Sequence, residues 1–155
     1  MAPPESRSGS HAELADRLAG LIGPRHIGRP SALDAAASLI ERDLSESGFA
    51  VQRQSYRVHA EEVANLIAEL PGTAPAAGIL ILGAHYDTVA ASPGADDNAS
   101  SVAVMLEVAR LLYGRQVRRT IRFVAFACEE PPHFYTGDMG SQVYARACRQ
   151  RAGTS

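Results

Sequence analysis

The chain has 155 residues, a length that suits one domain with a real core and not two. With 46% hydrophobic and 21% charged residues it has the composition of a soluble globular protein. Its formal net charge of -2 leaves it without the clustered cations that phosphate binding needs, which excludes nucleic acid as a main partner.

Residues 1–10 are rich in Pro, Ser and Gly and read as a disordered N-terminus; residues 11–155 read as the domain. From His11 to Ile22, the positions Leu14, Leu18, Leu21 and Ile22 have helical spacing, and Gly23-Pro24 stops the helix. A second helix runs to Ser47 with Ser31 as its N-cap, Leu33, Ala36, Ala37, Ile40 and Leu44 on one face, and Gly48 as C-cap. Val51 to Val58 alternates in part, as an exposed edge strand does, and Val63 to Leu70 is a strand ended by Pro71-Gly72. Gly78 to Gly83 and Ile121 to Ala127 are short continuous apolar runs, the pattern of strands buried on both faces. Between them, Ser100 to Tyr113 reads as a largely buried helix through Val104, Leu106, Val108, Leu111 and Leu112. Strand, loop, helix, strand in that order implies a crossover in a central sheet. A last helix starts near Gly140-Ser141 and reaches Arg149. No apolar run approaches the roughly 18 residues of a membrane span, and the N-terminus lacks the apolar segment of a secretory signal. Two cysteines, Cys128 and Cys148, are too few for a disulfide scaffold. The sequence thus reads as cytoplasmic, with no membrane partner.

Both apolar runs end in acidic, polar residues. In open α/β sheets the functional crevice lies outside the carboxyl ends of the strands, so both clusters fall where a site belongs. His85 and Asp87 are two apart at a strand end, so their side chains share a direction. Either both bind a metal, or the carboxylate holds the free ring nitrogen of a ligating histidine; a histidine in an ordinary turn is the plainer alternative. Asp96, Asp97 and Asn98 precede a helix, where an N-cap explains one carboxylate well and two poorly. Glu129 and Glu130 are consecutive, so one can bind a metal while the other faces substrate water, the division that metal-assisted hydrolysis requires. A solvated strand end is the bland alternative. Cys128 reads as a packed residue whose thiolate is disfavoured by the adjacent negative charge. His133 reads as exposed or substrate-facing, and Tyr86, Phe134 and Tyr135 as packing residues or pocket walls.

Together these clusters resemble the M28 family of zinc metallopeptidases. Gly83-Ala84-His85-Tyr86-Asp87-Thr88 is similar to the family's first motif, Pro93-Gly94-Ala95-Asp96-Asp97-Asn98-Ala99-Ser100 to its second, and Phe126-Ala127-Cys128-Glu129-Glu130 to its third. Asn65-Leu66-Ile67-Ala68-Glu69-Leu70-Pro71-Gly72 looks like the strand before the first motif. The likeness runs from about residue 30 to 147.

The resemblance implies a three-layer α/β/α fold with a central mixed β-sheet, incomplete at the C-terminal side. It implies metal ligands His85, Asp97 and Glu130, with Asp97 bridging two zinc ions. Glu129 is then the catalytic general base and Asp87 the partner that orients His85. The implied reaction is hydrolysis of peptides, chiefly release of N-terminal amino acids. Two departures stand out. Pro131 to Met139 lengthens the loop after the third motif. The family's two further ligands, an aspartate and a histidine, have no counterpart before Ser155. The alternative expectation is therefore a non-catalytic remnant or a peptide-binding fragment. A one-zinc hydrolase or cyclase on the same scaffold is a third, and a bridging Asp97 counts against it.

Overall fold

The computed structural model describes residues 11–152, so the expectation for residues 1–10 lies outside the described part. Helix α1 (His11–Asp16) continues through a wider π-type turn to Ile22, and Gly23 ends it at a φ of 73°. Helix α2 (Pro30–Glu46) begins with proline, whose missing N–H costs nothing in a first turn. Ser31 therefore lies inside this helix rather than capping it, and Arg29 occupies the cap position. The far end meets the expectation, with Gly48 at a φ of 101° just past Ser47.

Four strands follow: β1 (Val51–Val58), β2 (Glu61–Leu70), β3 (Ile79–His85) and β4 (Thr120–Phe126). They form one mixed sheet in the order β1-β2-β4-β3. β1 and β2 make an antiparallel hairpin, β2 runs antiparallel to β4, and β4 runs parallel to β3. Helix α3 (Ser100–Leu112) is the crossover between the parallel pair. Helix α4 (Gly140–Ala152) closes the described chain.

Alternation along the central strands sorts their side chains onto two cores. Leu66, Ala68, Phe123 and Ala125 face the large core built with α1, α2 and α3. Ile67 and Val124 face Tyr144 of α4 on the opposite side. The result is an α/β fold with helices on both faces of a mixed sheet, as expected.

Two burial expectations fail. The apolar run in β3 is the sheet's edge, and Ile79, Leu80 and Ile81 are 46%, 49% and 47% exposed. An apolar run signals what a strand can bury; whether a neighbour lies alongside is decided elsewhere in the chain, and no described strand pairs with the outer edge of β3. Likewise, Val104 and Leu111 of α3 point outward, while Met105, Leu106 and Ala109 meet the core. Among the described residues, no helix is long and apolar enough to cross a membrane.

Candidate metal centre

The parallel pairing of β3 with β4 brings the carboxyl ends of the two strands side by side, with His85 opposite Phe126. Three acidic segments converge there: the turn after β3, the loop before α3 and the turn after β4. His85 ends β3. Its Nε2 lies 3.1 Å from Oδ1 of Asp97 and 3.9 Å from Oε1 of Glu130. One ligand atom from each of His85, Asp97 and Glu130 can be chosen so that all lie within 4.8 Å of one another. Two ligand atoms at tetrahedral positions around one zinc ion stand about 3.3–3.5 Å apart, given Zn–N and Zn–O distances of about 2.0–2.2 Å. The separations here bracket that value, and one imidazole with two carboxylates is a donor set that zinc accepts.

Local backbone geometry explains why each side chain arrives. Gly94 has a φ of 61°, and a Cβ there would lie 2.6 Å from the main-chain oxygen of Asp97. Any larger residue would push this loop apart. Asp97 itself leaves helical geometry, at φ −114° and ψ 92°, before α3 begins. Cys128 has a φ of 57°, which turns the chain sharply after β4. That turn aims two successive amides at one carboxylate. Glu129 N–H and Glu130 N–H donate to Oδ1 and Oδ2 of Asp87 at 3.1 and 3.0 Å. Asp87 is 3% exposed, so these are charge-assisted bonds largely removed from water.

His85 is oriented from the same residue. Its Nδ1 lies 3.2 Å from the main-chain oxygen of Asp87 and 3.5 Å from its Oδ1. With the Nδ1 proton given to Asp87, Nε2 presents its lone pair toward Asp97 and Glu130. Burial works against a charged imidazole here, but the hydrogen bond and charge of Asp87, aided by Asp97 and Glu130, outweigh it and raise the His85 pKa. Burial, reinforced by the nearby Asp97 charge, raises that of Glu130 against the opposing pull of His85. The carboxylates are crowded in a way that a cation would relieve.

Glu129 is held from a different element. Its Oε1 accepts from Ser141 N–H at 2.6 Å and its Oε2 from the Ser141 hydroxyl at 2.8 Å, at the first turn of α4. The two glutamates thus diverge as expected, although the strand has already ended at Phe126.

Among the packing residues, Tyr86 is 1% exposed and donates its hydroxyl to Ala64 O. Cys128 is buried, and its thiol is pushed up to about 12, first by burial and then by the charge of Asp87. His133 corrects the expectation of an exposed or substrate-facing residue. It is buried, its ring centroid lies 5.9 Å from that of His59, and its Nε2 has no hydrogen-bond partner. The turns over residues 131–139 fold His133 inward and leave Phe134 and Tyr135 exposed.

The roles of three residues here escaped the sequence reading. Ser141 holds Glu129. Buried Asn65 accepts from Ala127 N–H and donates to Gly140 O, fastening the end of β4 to the start of α4. Arg25 sits fully buried behind the centre and bonds to backbone oxygens on both sides of it. Single polar residues outside any periodic pattern carry no signal that one sequence can reveal.

His85, Asp87, Asp97, Glu129 and Glu130 fall within a region of likeness to a known family. The model of peptidase family M28 matches residues 65–154. The uncharacterized protein YfbL of Escherichia coli is 36% identical over 137 residues, which cover 83% of this chain and 42% of YfbL. Aminopeptidase YwaD of Bacillus subtilis is 47% identical over 66 residues, covering 43% of this chain and 13% of YwaD. The chain therefore spans less than half the length of these relatives. The crystal structure of BSAP, a zinc aminopeptidase from Bacillus subtilis, superposes with a TM-score of 0.77 at 17% identity, covering 88% of this chain and 64% of that one. At that identity the likeness is one of fold.

Proposed function

The chain belongs to peptidase family M28, and from that premise we propose that it carries the core of a zinc-dependent aminopeptidase site acting on peptides with a free N-terminus. The observation that carries the reading is the convergence of His85, Asp97 and Glu130 at the adjoining ends of two parallel strands. In this reading His85, Asp97 and Glu130 would hold the zinc. Zinc bound there supplies a Lewis acid that polarises a scissile carbonyl and lowers the pKa of water.

The chain's own residues do the rest. Asp87 fixes the His85 ring and, through the amides of Glu129 and Glu130, the turn that carries both glutamates. Glu129 is the general base. Ser141 occupies one lone pair on each of its oxygens, which sets the carboxylate's direction. Each oxygen keeps a second lone pair for a water proton.

The test is to purify the chain, add zinc, dialyse, and measure metal content together with hydrolysis of aminoacyl-p-nitroanilides. An N-terminal glutaminyl peptide serves as a parallel arm for cyclisation. Retained zinc with anilide hydrolysis is expected. Glu129→Gln should keep the metal and lose activity by about a hundredfold or more, the usual contribution of a general base. Failure to retain zinc overturns the reading in favour of a peptide-binding fragment. Cyclisation without hydrolysis moves it to the cyclase class.

A further inference from the structure

Arg25 is a full-length cation with no exposed surface, placed between the first two helices. A buried guanidinium needs its donors matched, and here they meet backbone oxygens from three segments. Nε donates to Tyr86 O at 2.6 Å, in the turn after His85. Nη1 donates to Pro93 O at 2.6 Å and Nη2 to Gly94 O at 3.0 Å, in the loop before Asp97. Nη1 also reaches Leu18 O at 3.2 Å and Gly23 O at 3.1 Å, at the end of the first helix. The backbone of the same residue pairs with Thr88. Arg25 N–H donates to Thr88 Oγ1 at 3.1 Å, and Thr88 N–H donates to Arg25 O at 2.9 Å.

Apart from the end of the first helix, these contacts fall within two segments that flank metal-centre residues. Tyr86 and Thr88 bracket Asp87 and follow His85. Pro93 and Gly94 lie four and three residues before Asp97, and Gly94 O also accepts Ala99 N–H at 3.1 Å, closing the loop around Asp97. The two segments share no hydrogen bond with each other among those described, so the guanidinium is the tie between them.

We propose that Arg25 is a positioning residue, a latch that holds the turn after β3 and the loop before α3 in one register so that His85 and Asp97 stand at ligand distance. Its effect on metal binding rests on the zinc reading above; its effect on the two loops does not. A planar fork with five donors can meet five oxygens spread over three segments, whereas an ammonium with three donors on a single nitrogen meets at most three from one point. Arg25→Lys should therefore keep the charge and lose the register.

The decisive measurement is residue-resolved amide hydrogen exchange on the metal-free chain, for wild type, Arg25→Lys and Arg25→Met. Thr88 and Ala99 amides should exchange about tenfold faster or more in both variants, with amides of β2 and β4 within about twofold of wild type. Thr88→Val, which removes one acceptor and keeps the volume, should reproduce the effect in part, and it serves if the methionine variant does not fold. Leu44→Ala, a deep core change in α2, is the control for plain loss of stability and should not single out these two amides. Uniform acceleration across the sheet, or protection unchanged in Arg25→Lys, overturns the proposal. Zinc affinity by chelator competition gives the second readout, with a fall of about tenfold or more expected for Arg25→Lys and none for Leu44→Ala. If wild type binds no zinc, the metal reading fails and the exchange pattern still decides the latch.

Discussion

Replacing Asp87 with asparagine alters the joint that holds the centre together. The carboxylate accepts two amides, Glu129 N–H and Glu130 N–H, one on each oxygen, at 3.1 and 3.0 Å. An asparagine keeps one oxygen and turns an NH₂ group toward the other amide, so one N–H loses its acceptor and faces a donor. A buried donor left unsatisfied costs about 1–3 kcal/mol, and the surviving bond loses its charge assistance. We therefore expect a loss of about 2–3 kcal/mol, against a total near 5–15 kcal/mol for a domain. With a urea slope of about 1–3 kcal/mol per molar, the unfolding midpoint should fall by about 1 M. Equilibrium urea unfolding of the metal-free chain, followed by far-UV circular dichroism, measures this directly. In parallel, zinc affinity should drop about tenfold, because the His85 ring keeps the main-chain oxygen of residue 87 but loses the carboxylate charge beside it. A midpoint within about 0.2 M of wild type would refute the reasoning, since the two amides would then have found other acceptors.

Cys128 should resist thiol reagents in the folded chain. Its thiol is pushed up to about 12 by burial and the Asp87 charge, four pH units above pH 8, so about one molecule in ten thousand is thiolate there. At pH 8 mass-spectrometric mapping should find label on Cys148 alone, with Cys128 labelled only after unfolding; rapid native labelling of Cys128 would refute this. Ile81→Lys should reduce self-association, because it puts a charge on the apolar edge of β3 that no described strand covers, where Ile81 is 47% exposed. Light scattering at high protein concentration should fall while stability stays within about 0.5 kcal/mol; unchanged scattering would show that the edge is not the sticky surface.

Local patterns carried much of this protein. Helical spacing in α2, partial alternation in β1 and the short apolar runs before His85 and Glu129 were enough to place each element, because each reflects what one segment can bury. Order along the chain was enough to name the family, since three short acidic motifs at strand ends in sequence are far more specific than any one of them. Contacts between distant segments needed the fold. The distances from His85 to Asp97 and Glu130 depend on β3 lying parallel to β4, a pairing across about forty residues that no local pattern encodes. The exposure of β3 depends on the absence of a described neighbour, and the burial of His133 depends on how its turn folds back. Arg25 shows the same division most clearly. In the sequence it is one of fifteen arginines, and only the folded chain brings the oxygens of Tyr86, Pro93 and Gly94 to its guanidinium. Burial preferences are written residue by residue, but hydrogen-bond partners are chosen by the whole chain at once.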